Sequence, residues 1–191
     1  MNFSVKSQTE TTEAVEVSIL TIGPGANLYD KFGHSAFRVA DKNNGVDYVF
    51  NYGTYDFNTP NFYTKFAQGK LLYSLSVETF DNFYARYVAE NRWVKEQKLN
   101  LTVDQEIEVF NFLKNNSLPE NRKYKYDFFY DNCATKMRDV LVEVLGTKIK
   151  YQDSLPFEPK SFRELIQQNV YYNSWGSLGM DVGIGAVTDV T

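Results

Sequence analysis

The hydrophobic and polar positions change period several times along this chain, and each change marks an element. VEVSILTI (15–22) is apolar and β-branched along most of its length, the pattern of a buried strand. GPGANLYDKFG (23–33) interrupts it with Gly and Pro, which punctuate regular structure. HSAFRVA (34–40) and VDYVFNY (46–52) predict two strands joined by a hairpin at Asn43-Asn44-Gly45. A polar-aromatic loop, GTYDFNTPNFYTKF (53–66), leads to a further strand, LLYSLSV (71–77).

From there the period becomes helical. Thr79 stands where a cap belongs, ahead of Phe80, Phe83, Tyr84, Tyr87 and Val88 at helical spacing. Thr102 and Gln105 form a capping-box pattern before Ile107, Phe110 and Leu113. A tyrosine-rich connection, NRKYKYDFFYDN (121–132), precedes a third helix from Cys133 to Leu145, with Gly146 at the C′ position. Ser161 and Glu164 start a short helix over about 161–169. The polar segment 1–13 reads as a loose tail, and 14–191 as a single catalytic domain. The last twenty residues hold four glycines and read as a boundary cut short.

Composition narrows the functions available. The 191 residues are 43% hydrophobic and 23% charged, the balance of one globular domain that needs no disulfide or metal to hold it together. A net charge of −4 provides no basic stripe for a phosphate backbone, so nucleic acid is a poor partner. No run of 18 apolar residues predicts a spanning helix. The first 13 residues lack the apolar core of a secretory signal, so either the protein is cytosolic or a signal has been removed. One Cys and one His cannot build a structural zinc site, and no H-E-x-x-H spacing is present. The expected chemistry therefore involves no metal and no cofactor.

That single Cys and single His are the candidate chemistry. Cys133 opens its helix directly after Asp131-Asn132. Helix N–H groups and the positive end of the macrodipole favour a thiolate there, and the same N–H groups suit the oxyanion of a tetrahedral intermediate. His34 opens a strand after a glycine, where its imidazole can face a helix terminus and act as the base. Cys133 also belongs to an apolar stripe with Met137, Val140, Leu141, Val144 and Leu145, and a buried Cys is more often a small hydrophobe than a nucleophile. Asn51 is the candidate third group that would orient the imidazole, an ordinary turn Asn being the alternative. Asn132 either supports the oxyanion or caps the helix. Arg138 lies about 140° round the helix and is expected to hold a carboxylate on the outer face. Tyr55, Phe57, Phe62 and Tyr63 could form a rim for an acyl or peptide ligand, or simply pack under their loop.

DKFGHSAFRV (30–39), VFNYGTYDF (49–57), NFYTKFAQGKLLYSL (61–75) and YDFFYDNCATKMRDVL (126–141) together resemble the Lnb N-terminal periplasmic domain family. Its members resemble permuted NlpC-like and lecithin-retinol-acyltransferase-like thiol enzymes. The resemblance implies a cell-envelope location, which favours a removed signal. It implies that Cys133 is the family thiol and His34 the family histidine. In its best-understood branch it also implies acyl transfer onto the N-terminal amine of a lipoprotein. These 191 residues hold no run that reads as one of that branch's membrane helices.

The expected fold is α+β, a small antiparallel sheet packed on helices in circularly permuted papain-like order. The expected activity is acyl transfer through a thioester on Cys133, with an acyl-ester or peptide substrate in the envelope, such as a lipoprotein. Two rivals remain open. One is a cysteine peptidase or amidase using the same residues, and the other is a catalytically silent envelope binding module.

Overall fold

A computed structural model describes residues 15–27, 30–56, 58–61, 64–65, 70–150, 158–171, 174–175, 177–179 and 189. Six strands form one antiparallel sheet: β1 (Glu16–Ile22), β2 (His34–Asp41), β3 (Val46–Thr54), β4 (Leu72–Thr79), β5 (Val94–Lys98) and β6 (Lys123–Lys125). Their order across the sheet is β5-β1-β2-β3-β4-β6, every neighbouring pair antiparallel. The sheet is joined by the helices α1 (Phe80–Ala89), α2 (Val103–Asn116), α3 (Cys133–Leu145) and α4 (Phe162–Asn169). This is an α+β fold.

Both faces of the central strands are covered, which is why β1 reads as nearly continuous apolar sequence rather than a clean alternation. On one face Val17, Phe37, Val39, Phe50 and Leu75 pack against Val109 and Leu113 of α2 and Met137, Val140, Leu141 and Leu145 of α3. On the other, Leu20, Ile22, Ala36 and Val49 pack against Phe83 and Tyr87 of α1. Fully burying one such large side chain stabilises the fold by about 1.5–3 kcal/mol. The stripe expected for α3 is thus its core face. Tyr84 and Val88, included in the helical pattern of α1, remain exposed.

The helix starts follow local chemistry. Thr102 with Gln105, and Ser161 with Glu164, form the reciprocal capping boxes their spacing predicts. Thr79 occupies the cap position of α1, but its side chain makes no capping hydrogen bond. The two edge strands are not legible as strands in the sequence. β5, VKEQK, is polar and mostly exposed, and β6 is only Lys-Tyr-Lys. Charged, short edges of this kind resist pairing with other chains.

Candidate active site

The site forms where β2 and β3 part company. Their pairing runs from Asp41↔Val46 to Phe37↔Phe50. Continued, that register would place His34 opposite Gly53, but the ladder ends at Phe37. Between Asn51↔Ser76 and Thr54↔Ser74, β3 advances three residues while β4 advances two. The extra residue makes a bulge, a device that bends a strand and re-aims its side chains. Gly53 sits within it at φ +91°, a left-handed value that glycine adopts without strain. A Cβ there would lie 3.8 Å from Cys133 Cβ, 3.9 Å from His34 Cε1 and 3.6 Å from Tyr126 Cε2. Three side chains therefore converge on the space that the missing Gly53 side chain leaves open.

The start of α3 fixes the thiol from the other direction. Asn132 is the N-cap: its Oδ1 accepts from the N–H groups of Ala134 at 2.9 Å and Thr135 at 3.1 Å. Thr135 Oγ1 accepts from the Asn132 N–H at 2.8 Å, closing the box. The Asn132 Nδ2 donates to the Phe128 carbonyl at 2.9 Å. Both ends of this side chain help to hold the helix start, and Asn132 is the cap of α3. Just upstream, the Asp127 carboxylate accepts from the N–H groups of Phe129 at 2.8 Å and Tyr130 at 2.9 Å. The turn that delivers Cys133 is therefore pinned by its own side chains. Replacing Asn132 by Ala should lower stability by about 1 kcal/mol, read as a shifted urea midpoint at unchanged slope.

Cys133 is half-buried and lines one cavity with His34. Burial works to raise its pKa, but the hydrogen bond and charge of His34 and the N–H groups of Ser35 and Ala134 outweigh it. The thiol consequently titrates below its ordinary value. For His34 burial works downward, whereas the bonds to Cys133 and Asn51 work upward and prevail, with Arg92 opposing them. The imidazole titrates above its ordinary value. A thiol lowered and an imidazole raised in this way is what thiol nucleophilic chemistry would require of the pair.

Asn51 supplies the third member. Its Oδ1 lies 2.6 Å from His34 Nε2, and Asn51 is 3% exposed, too buried for an ordinary turn residue. A carbonyl oxygen can only accept, so Nε2 carries the proton and Nδ1 is left as the nitrogen able to accept one. The two side chains are diagonal neighbours on one face of adjacent strands, which is why residues 17 apart in sequence meet.

A cavity of about 210 Å³ opens beside the pair, walled by Thr21, Ile22, Pro24, Phe32 and Trp93. Tyr55 does not line it; its ring packs edge-on against Tyr73 at 5.3 Å. Phe57, Phe62 and Tyr63, the rest of the expected aromatic rim, lie outside the described residues. Arg138 holds Asp139 at 2.7 Å on the outer face, as its helical position predicts. Sequence reasoning missed Gly53, Tyr126 and the Ser35 N–H, which matter only through the bulge, a ring stack and the parting of two strands. A Tyr among three in the 121–132 connection offered the one readable signal.

Fold and site together define an α+β protein with a Cys–His–Asn constellation set at a helix N-terminus. The chain matches the family model of the Lnb N-terminal periplasmic domain over residues 4–168, and it belongs to that family. No curated protein and no solved structure matches it. Among the described residues no helix is long and apolar enough to cross a membrane.

Proposed function

We propose that this chain is a thiol-dependent acyl-transfer enzyme of the cell envelope, with its elements in circularly permuted papain-like order. The observation that carries this reading is the thiol of Cys133, at the first turn of α3, set beside an imidazole that Asn51 holds in one tautomer. His34 Nδ1 takes the thiol proton as sulfur attacks an ester or amide carbonyl. The tetrahedral intermediate collapses, the C–O or C–N bond breaks, and the proton passes from His34 to the leaving group. A thioester remains on Cys133. An incoming amine or water then gives its proton to His34, attacks the thioester and regenerates the thiol. An amine acceptor makes a transferase, and the N-terminus of a lipoprotein is the acceptor the family branch suggests. Water makes a hydrolase.

The test is intact-protein mass spectrometry after incubation with phospholipid vesicles, with p-nitrophenyl acetate and with envelope peptides. An acyl-sized increment on Cys133, removed by neutral hydroxylamine and absent in Cys133→Ala, is the expected result. A peptide-sized increment would transfer the same residues to the peptidase or amidase reading. A Cys133 that takes no adduct from any donor, and is not alkylated in the native protein, would leave only the binding module.

A further inference from the structure

An oxyanion needs more than one donor, and the helix start offers fewer than its position suggests. Of the first three N–H groups of α3, those of Ala134 and Thr135 are taken by Asn132 Oδ1, and that of Ala134 also faces the sulfur. Only the N–H of Cys133 itself remains. The Asn132 amide is likewise engaged, on the Phe128 carbonyl. The thiolate can form where it stands, yet the helix start leaves only one backbone donor for the charge that develops on the substrate oxygen.

Tyr126 is an unused donor at the same place. Its Cε2, adjacent to the hydroxyl-bearing carbon, lies 3.6 Å from the point that is 3.8 Å from Cys133 Cβ. The ring stacks on Tyr73 at 4.3 Å with planes 19° apart, and Tyr73 is itself buried and braced by Tyr55. Such a stack fixes the ring plane without engaging the hydroxyl. Every neighbour of a catalytic donor should leave it free in this way, and among the described residues the Tyr126 hydroxyl has no hydrogen-bond partner.

From this geometry we infer that the Tyr126 hydroxyl is the second oxyanion donor, acting with the Cys133 N–H on the tetrahedral intermediate of acyl transfer. The inference rests on the acyl-transfer reading above. It adds a residue that touches the reacting oxygen and explains why the tyrosine-rich connection ends against the nucleophile. Burial, then the charge of the Cys133 sulfur, push the Tyr126 phenol above its ordinary value, so it keeps its proton at neutral pH and can donate it in a hydrogen bond. No proton needs to be transferred: the hydrogen bond shortens as charge grows on oxygen and relaxes when the intermediate collapses.

Two reactions of the same sulfur separate this role from a structural one. Alkylation by iodoacetamide displaces iodide from a saturated carbon and forms no oxyanion, whereas acylation by p-nitrophenyl acetate does. Tyr126→Phe keeps the stacked ring and removes only the hydroxyl. It should slow single-turnover acylation by about a hundredfold, while iodoacetamide alkylation and Tm stay at wild-type values. Acylation at the wild-type rate in Tyr126→Phe would overturn the inference alone. Equal slowing of both reactions would overturn it too, since it would show that the hydroxyl acts on the thiol rather than on the oxyanion. A wild-type protein that is alkylated but never acylated would overturn the acyl-transfer reading and this inference together.

Discussion

Replacing His34 by Ala should slow alkylation of native Cys133 by iodoacetamide at pH 6 on the order of a hundredfold. An ordinary thiol with a pKa of about 8.5 is ionised to roughly 0.3% at that pH. In the native site the thiol titrates below its ordinary value, and the His34 hydrogen bond and charge are the largest causes that lower it. Without them burial is opposed only by the N–H groups of Ser35 and Ala134, and the thiolate population collapses. A core cysteine would behave in the opposite manner, reacting only on unfolding and regardless of residue 34. An equal rate in the two proteins at pH 6 would therefore end the dyad.

The same pair fixes the sign of the pH dependence. The reactive form holds one proton between sulfur and imidazole. It is lost on the acid side when a second proton arrives and on the alkaline side when the last one leaves. Because the thiol is shifted down and the imidazole up, both limbs move outward and the plateau widens. Single-turnover acylation should trace that bell, and His34→Ala should leave only a rising alkaline limb, where hydroxide-driven ionisation makes the thiolate.

What was legible in the sequence is what short-range physics decides. α3 begins at Cys133 because Asn132 and Thr135 lock its first turn, and both residues are visible three positions apart. His34 and Asn51 sit just past the end of the hairpin ladder that runs from Asp41↔Val46 to Phe37↔Phe50, and extending its register brings them diagonally together. The edge strands escaped because their residues bury almost nothing. β5 is held by backbone bonds to β1, with Lys98 and Glu96 reaching Glu16, Arg38 and Ser18 across it. Propensity carries no trace of such pairing, since polar strands are defined by their neighbours rather than themselves. Asn132 shows the limit in another way: the sequence allows the side chain either to cap or to donate to a ligand, and the fold shows it capping α3.

Gly53→Val should separate the thiol from the imidazole and cut acylation by a hundredfold or more, a larger effect than its place outside the cavity lining suggests. The reason lies in two independent demands on this position. The first is backbone: φ +91° within the β3 bulge is a conformation that costs a residue with a side chain about 1–3 kcal/mol. The second is space, because Cys133, His34 and Tyr126 all meet the position a Cβ would take. Gly53→Ala meets only the first demand, since contacts of 3.6–3.9 Å are ordinary packing. It should lower the denaturation midpoint yet keep alkylation at pH 6 within several-fold of wild type. The branched methyls of Val add the second demand, and they must push into the gap between sulfur and imidazole. A displacement near 1 Å is enough to cost about a hundredfold in a positioned reaction. Measured on the folded fraction of each variant, the Ala and Val proteins should thus share a loss of stability but differ sharply in reactivity. If the Val protein acylates like the Ala protein, the thiol and imidazole do not meet across Gly53, and the bulge serves the sheet alone.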